Sequence, residues 1–196
     1  GMYILTLDDD SCLTSPDDLV KAVARMEATP FLGAMTFHVH NGLSTPNTAS
    51  PNFREQFVAC YAGGAALLRK SALDAVGGYQ QFFKGEGEED ELSVRLLKAG
   101  WPILFFPEVV VHHRISPIHR SSPARWARGL RNKLWSVVMR MPLAWLPLEL
   151  GWKLAMGIFD GARTLRLKQT LWALHSFAIG LPRVLHLRAP ISMLAY

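Results

Sequence analysis

A run of β-forming residues, Met2-Tyr3-Ile4-Leu5-Thr6-Leu7, stops abruptly at three aspartates, Asp8, Asp9 and Asp10. Such a run reads as a buried strand, and its carboxyl end delivers acidic side chains to the rim of a sheet, where open α/β folds place their ligands. Carboxylates packed this closely repel one another. A divalent cation relieves the repulsion, and hard oxygen ligands suit Mg²⁺ or Mn²⁺, with substrate phosphates completing the shell. A second reading stands beside it: a solvated acidic turn that caps the helix predicted to start near Ser15-Pro16.

Further acids cluster at Glu88-Glu89-Asp90-Glu91, ahead of a helical pattern in which Leu92, Leu96 and Leu97 share a face and Gly100 supplies a stop. Carboxylates favour the positive end of a helix dipole, which accounts for two or three of the four and leaves one for chemistry. His112 and His113 end an apolar run that starts at Ile103. Strand alternation aims one of them into a site and the other away, and a neutral imidazole paired with Asp10 would give an ion one nitrogen and one oxygen ligand. His38 and His40 sit on a predicted strand over 33–40 and read as an outward-facing edge rather than a ligand pair.

Four segments in order carry a resemblance. They are the aspartate strand; Cys60 to Leu73 with Gly63-Gly64 within it, followed by Val76-Gly77-Gly78-Tyr79; the acidic stretch Gly87 to Gly100; and Pro107 to His113. Together they resemble the family 2 glycosyltransferases of the GT-A fold. The fold class this implies is α/β, a partial GT-A-like mixed sheet flanked by helices and followed by a helical carboxyl-terminal extension. The activity it implies is transfer of a sugar from a nucleotide-sugar donor to an acceptor hydroxyl, with inversion and with Mg²⁺ or Mn²⁺ as cofactor. By register with the family motif Glu89 is the expected base, with Glu88 and Glu91 as neighbours that could take the role. The resemblance also implies Asp10 with His112 or His113 at the metal. Asp8 and Asp9 fall at the donor, Gly63 and Gly64 allow the backbone close to the donor sugar, and Arg128 and Arg131 could meet the diphosphate.

In that family the aspartate motif follows a βαβ portion that holds the nucleotide. This chain starts on the aspartate strand, so it reads as a carboxyl-terminal portion, through a truncated gene or a misplaced start codon, and is expected to turn over little by itself. The rival from another class is a non-catalytic scaffold that dimerises or binds a membrane surface.

Charge divides the chain. Residues 1–113 hold 8 Lys/Arg against 14 Asp/Glu, a net of −6, whereas residues 114–196 hold 13 against 2, a net of +11. The basic part carries Trp126, Trp135, Trp145, Trp152 and Trp172 among leucines and arginines. Helices of that composition lie in a membrane interface with basic residues at the headgroups, so an anionic membrane surface is the expected partner, alongside a saccharide or lipid-linked acceptor and, where the sheet edge is open, a second copy of the chain. Nucleic acid is not expected. Glu149, Lys153, Pro142 and Pro147 argue against a membrane span. Two cysteines, Cys12 and Cys60, give no disulfide framework, and the first apolar run is too short for a signal peptide, so the expected location is the cytoplasmic face of the inner membrane, in a pathway of cell-envelope polysaccharide.

The predicted domains are 1–116, the catalytic part, and 117–196, the basic helical part. Predicted elements are strands over 2–8, 33–40, 57–69, 102–106 and 109–113, and helices over 16–28, 71–76, 89–99, 123–140, 143–159 and 164–187. The polar loop 41–55 reads as a lid.

Overall fold

The computed structural model describes residues 1–44, 53–114 and 122–192. Its strands are β1 (Tyr3–Leu7), β2 (Ser11–Leu13), β3 (Ala34–Asn41), β4 (Gln56–Val58), β5 (Ala65–Arg69) and β6 (Ile103–His113). Its helices are α1 (Asp18–Glu27), α2 (Lys70–Val76), α3 (Glu88–Lys98), α4 (Pro123–Arg140), α5 (Leu146–Arg163) and α6 (Leu167–His186). They form two compact units: Gly1–Tyr79 with Leu92–Ile118, and Gln80–Glu91 with His119–Tyr196.

The first unit is a mixed sheet in the order β1-β5-β3-β6-β2, with β4 also paired to β6. β3 and β6 run parallel, and β5 is antiparallel to both β1 and β3. It follows that β1, β3 and β6 point the same way and end on one edge. The aspartates join β1 to β2, the two ends of the strand order. Four residue steps reach at most about 14 Å, whereas a flat sheet would separate those strands by roughly 19 Å, so the sheet must curl at this edge.

Alternation along each strand sorts side chains onto two faces. Met35, Phe37, Leu67, Leu104 and Phe106 pack with Ala22 and Met26 of α1. Ala34, Ala66, Leu68 and Ile103 pack with Ala72 and Leu73 of α2 and with Leu92 and Leu96 of α3. The Arg69 guanidinium donates to the carbonyls of Met26, Thr29 and Leu32 and so ties β5 to the turn where α1 ends.

Two strand predictions change. The predicted 102–106 and 109–113 strands are one strand, β6, whose register against β3 jumps from Phe37↔Phe106 to His38↔Val110. Pro107, which has no N–H to donate, lies in the bulge and is absorbed rather than breaking the strand. The predicted 57–69 strand is instead two, β4 and β5, separated by the turn that holds Gly63 and Gly64. β3 pairs with β5 only through Thr36, so the half bearing His38 and His40 has β6 as its strand partner. Of the predicted loop 41–55, residues 45–52 lie outside the described residues, as does the predicted boundary at 116/117.

The second unit is a three-helix assembly of α4, α5 and α6 with the segment 80–91. Trp135, Val138, Met139 and Val184 surround Phe83, and Ala127, Leu130, Leu134 and Ala173 form an adjoining cluster. Ser122 caps α4 by accepting from the Arg125 N–H, and Pro123 occupies the first turn, where a missing N–H costs nothing. No helix of the described residues is long and apolar enough to cross a membrane.

Candidate functional site

The shared edge of β1, β3 and β6 brings Asp8, Asp10 and His113 together, with one ligand atom from each lying within 4.8 Å of the others. His113 Nε2 stands 3.0 Å from Asp10 Oδ1 and 3.7 Å from Asp8 Oδ2. On its other side His113 Nδ1 lies 2.8 Å from Asn41 Oδ1. A carboxamide oxygen only accepts, so Nδ1 carries a proton there, and Nε2 is the ring nitrogen that faces the carboxylates. Metal-bound histidines are oriented by such partners. A hard-oxygen pair with one imidazole suits Mg²⁺ or Mn²⁺, so the residues present fit a divalent ion.

Register explains which histidine meets the aspartates. Asn41 pairs with His113 and His40 with His112, so alternation puts the two couples on opposite faces. His112 Nε2 is engaged with the Gly42 carbonyl at 2.8 Å, and its ring packs near that of His40. His38 stacks on Phe53, and burial with the neighbouring His40 charge lowers its pKa. Asp9 is outside the cluster. Gly64 lies against Asp8: a Cβ there would meet the Asp8 carboxylate and push it from its present place in the cluster.

The acids at the start of α3, in the second unit, separate into two kinds. Glu91 is fully buried and paired with Arg140, whose Nε donates to Oε1 at 2.8 Å, and it serves as an anchor. Glu88 and Glu89 are in no ion pair among the described residues, and Glu88 Oε2 is buried without a hydrogen-bond partner. Burial raises the Glu89 pKa, and repulsion from Glu88, Asp90 and Glu86 adds to it, against a backbone hydrogen bond that lowers it.

Of the two arginines expected at a diphosphate, Arg131 is committed inside the helical unit. It bonds the Phe83 carbonyl and Asn132 Oδ1 and stacks over Trp135 and Trp172, and burial lowers its pKa. Arg128 is half-buried, with its Nε lacking a hydrogen-bond partner. The same unit holds a half-open groove of about 1260 Å³, lined among others by Glu86, Gly87, Trp126, Lys133, Trp152 and Arg166.

The model of glycosyl transferase family group 2 matches residues 3–187. The chain belongs to this family. No curated protein matches it. Among solved structures, TarS of S. aureus in complex with UDP-GlcNAc aligns with a TM-score of 0.57 at 14% identity, over 95% of this chain and 60% of that one. GalNAc-T7 with UDP, GalNAc and Mn²⁺ aligns with a TM-score of 0.55 at 17% identity, over 73% of this chain and 32% of that one. The chain thus spans under two thirds of the length of either. The likeness is one of fold, and the mixed sheet flanked by helices is the GT-A arrangement.

Asn41 and Asn132 escaped the sequence reading. An asparagine ending a strand signals only a turn, and Asn41 becomes informative once the β3–β6 register sets it against His113.

Proposed function

We propose that this family member handles the metal and donor sugar in an inverting glycosyl transfer from a nucleotide-sugar to an acceptor hydroxyl. The observation that carries this is the Asp8–Asp10–His113 cluster with His113 held by Asn41. Asp10 and His113 would hold Mg²⁺ or Mn²⁺, with Asp8 beside them at the donor; the bound ion supplies positive charge to the donor's diphosphate. Glu89 serves as general base, with Glu88 as its alternate. It takes the acceptor hydroxyl proton while the acceptor oxygen bonds the anomeric carbon and the nucleoside diphosphate leaves with the electrons of the broken C–O bond. A carboxyl whose pKa is raised is a stronger base once ionised, which suits this task.

The groove of the helical unit, aromatic and basic, suits a saccharide or lipid-linked acceptor of the kind used in cell-envelope polysaccharide assembly. Membrane attachment at the cytoplasmic face fits the exposed apolar residues Leu148, Trp152 and Phe159 of α5 and Leu171, Trp172 and Ile179 of α6. Release of nucleoside diphosphate from a panel of nucleotide-sugars, with Mn²⁺ and candidate acceptors, tests the reading. Glu89→Gln should lower turnover and keep donor binding. Equal loss of both would contradict the role of Glu89, and binding of no donor would leave the scaffold reading.

A further inference from the structure

Residues 84 to 87, just ahead of the acids of α3, all have left-handed backbone: φ is 53° at Lys84, 83° at Gly85, 70° at Glu86 and 84° at Gly87. Two of the four are not glycine. A chain holds such a run only where its surroundings over-determine it. What surrounds it is Asn132, in the middle of α4 and fully buried. The two hydrogens on its Nδ2 serve three carbonyls, those of Phe83 at 3.0 Å, Gly85 at 2.8 Å and Glu86 at 2.8 Å, so one of them is shared. Its Oδ1 accepts from Arg131 Nε at 3.0 Å and Nη2 at 2.9 Å. A guanidinium only donates and carbonyls only accept, so this network fixes the orientation of the amide.

Two helical turns further along α4, Arg140 holds Glu91. Asn132 and Arg140 therefore bracket Glu88 and Glu89, one gripping the chain before them and the other the residue after. We infer that Asn132 is a positioning residue for the transfer reaction: it imposes the left-handed loop and so fixes the first turn of α3, where Glu88 and Glu89 stand. This rests on the reading of Glu89 as base. A buried carboxamide with all its bonds made specifies one loop conformation, which an apolar residue filling the same space would not do.

The test uses the whole chain with ¹³C-labelled glutamate carboxyls, the Glu89 signal being assigned from Glu89→Gln. In the wild type the Glu89 carboxyl, buried beside Glu88 and Asp90, should titrate above the ordinary glutamate value. Asn132→Leu keeps the volume and removes the donors; Glu89 should then titrate near an exposed glutamate, and kcat should fall about tenfold or more with donor KM little changed. An unchanged Glu89 titration in a folded Asn132→Leu, with only the melting temperature lowered, overturns the proposal. Should that variant not fold, hydrogen exchange on the wild type decides. Asn132 side-chain amide protons exchanging as slowly as the backbone amides of mid-α4 support the clamp, and exchange as fast as an exposed carboxamide refutes it. Full turnover in Glu89→Gln would remove the assigned base, whereas the titration and exchange judge the clamp separately.

Discussion

His113 owes its place to one register. Because it faces Asn41 across β3 and β6, its Nδ1 is spoken for and its Nε2 is left to the aspartates. A Mn²⁺ titration followed by electron paramagnetic resonance should show binding lost in His113→Ala and kept in His112→Ala. Asn41→Ala removes only the orienting bond, and outer partners of this kind are worth about 10–100-fold in affinity. Equal loss in the two histidine variants would disprove the assignment. The sequence already showed that alternation must select one of the adjacent histidines, but choosing between them needs the partner strand, which lies some 70 positions away. Glu89 carries a prediction of its own. Its folded pKa is raised, so the folded chain binds that proton more readily than the unfolded chain does. The resulting destabilisation is absent below the ordinary glutamate value of 4.5 and grows as pH rises through the folded value. Glu89→Gln should therefore raise the melting temperature at neutral pH and leave it unchanged in acid; a stabilisation that is the same at both would point away from the carboxyl.

At the scale of elements, α3 and α4 are joined by chemistry that periodicity does not display. Glu91 looked like one more acid at a helix start, suited to the dipole. In the structure it is buried against Arg140, which in turn reaches the Ala189 carbonyl. Removing one partner strands a buried charge, so Arg140→Met alone should cost about 3–5 kcal/mol in chemical denaturation. Glu91→Leu with Arg140→Met removes both charges and should recover most of that loss. A double variant no more stable than the single would contradict the pairing. Helices and most strands were legible because their apolar residues recur with the right period, and α4 ends at Arg140 as predicted. The continuity of β6 was not, since Pro107 normally ends a strand and only pairing with β3 on a bulge retains it.

On the scale of the whole molecule, charge and apolar exposure coincide in the basic helical part. α6 contains no acidic residue, and it exposes Leu171, Trp172 and Ile179 along with Lys168. Each basic residue near an anionic surface contributes about 1 kcal/mol, enough in combination for reversible attachment. Co-sedimentation with liposomes should rise with anionic lipid content and weaken with salt, as screening shortens the reach of the charges. Indifference to both would return these residues to packing against protein.

The proposed binding of a nucleotide-sugar through a divalent ion rests on family membership, a GT-A sheet and an Asp–Asp–His cluster at its carboxyl edge. Calorimetry of a nucleotide-sugar panel, with Mn²⁺ and with chelator, on the wild type and on Asp10→Ala tests that most directly. The account predicts that one donor binds the wild type with Mn²⁺ present, and that binding is lost with chelator and in Asp10→Ala. Donor binding that persists without the metal or without the Asp10 carboxylate would contradict it, as would a wild type that binds Mn²⁺ and no donor.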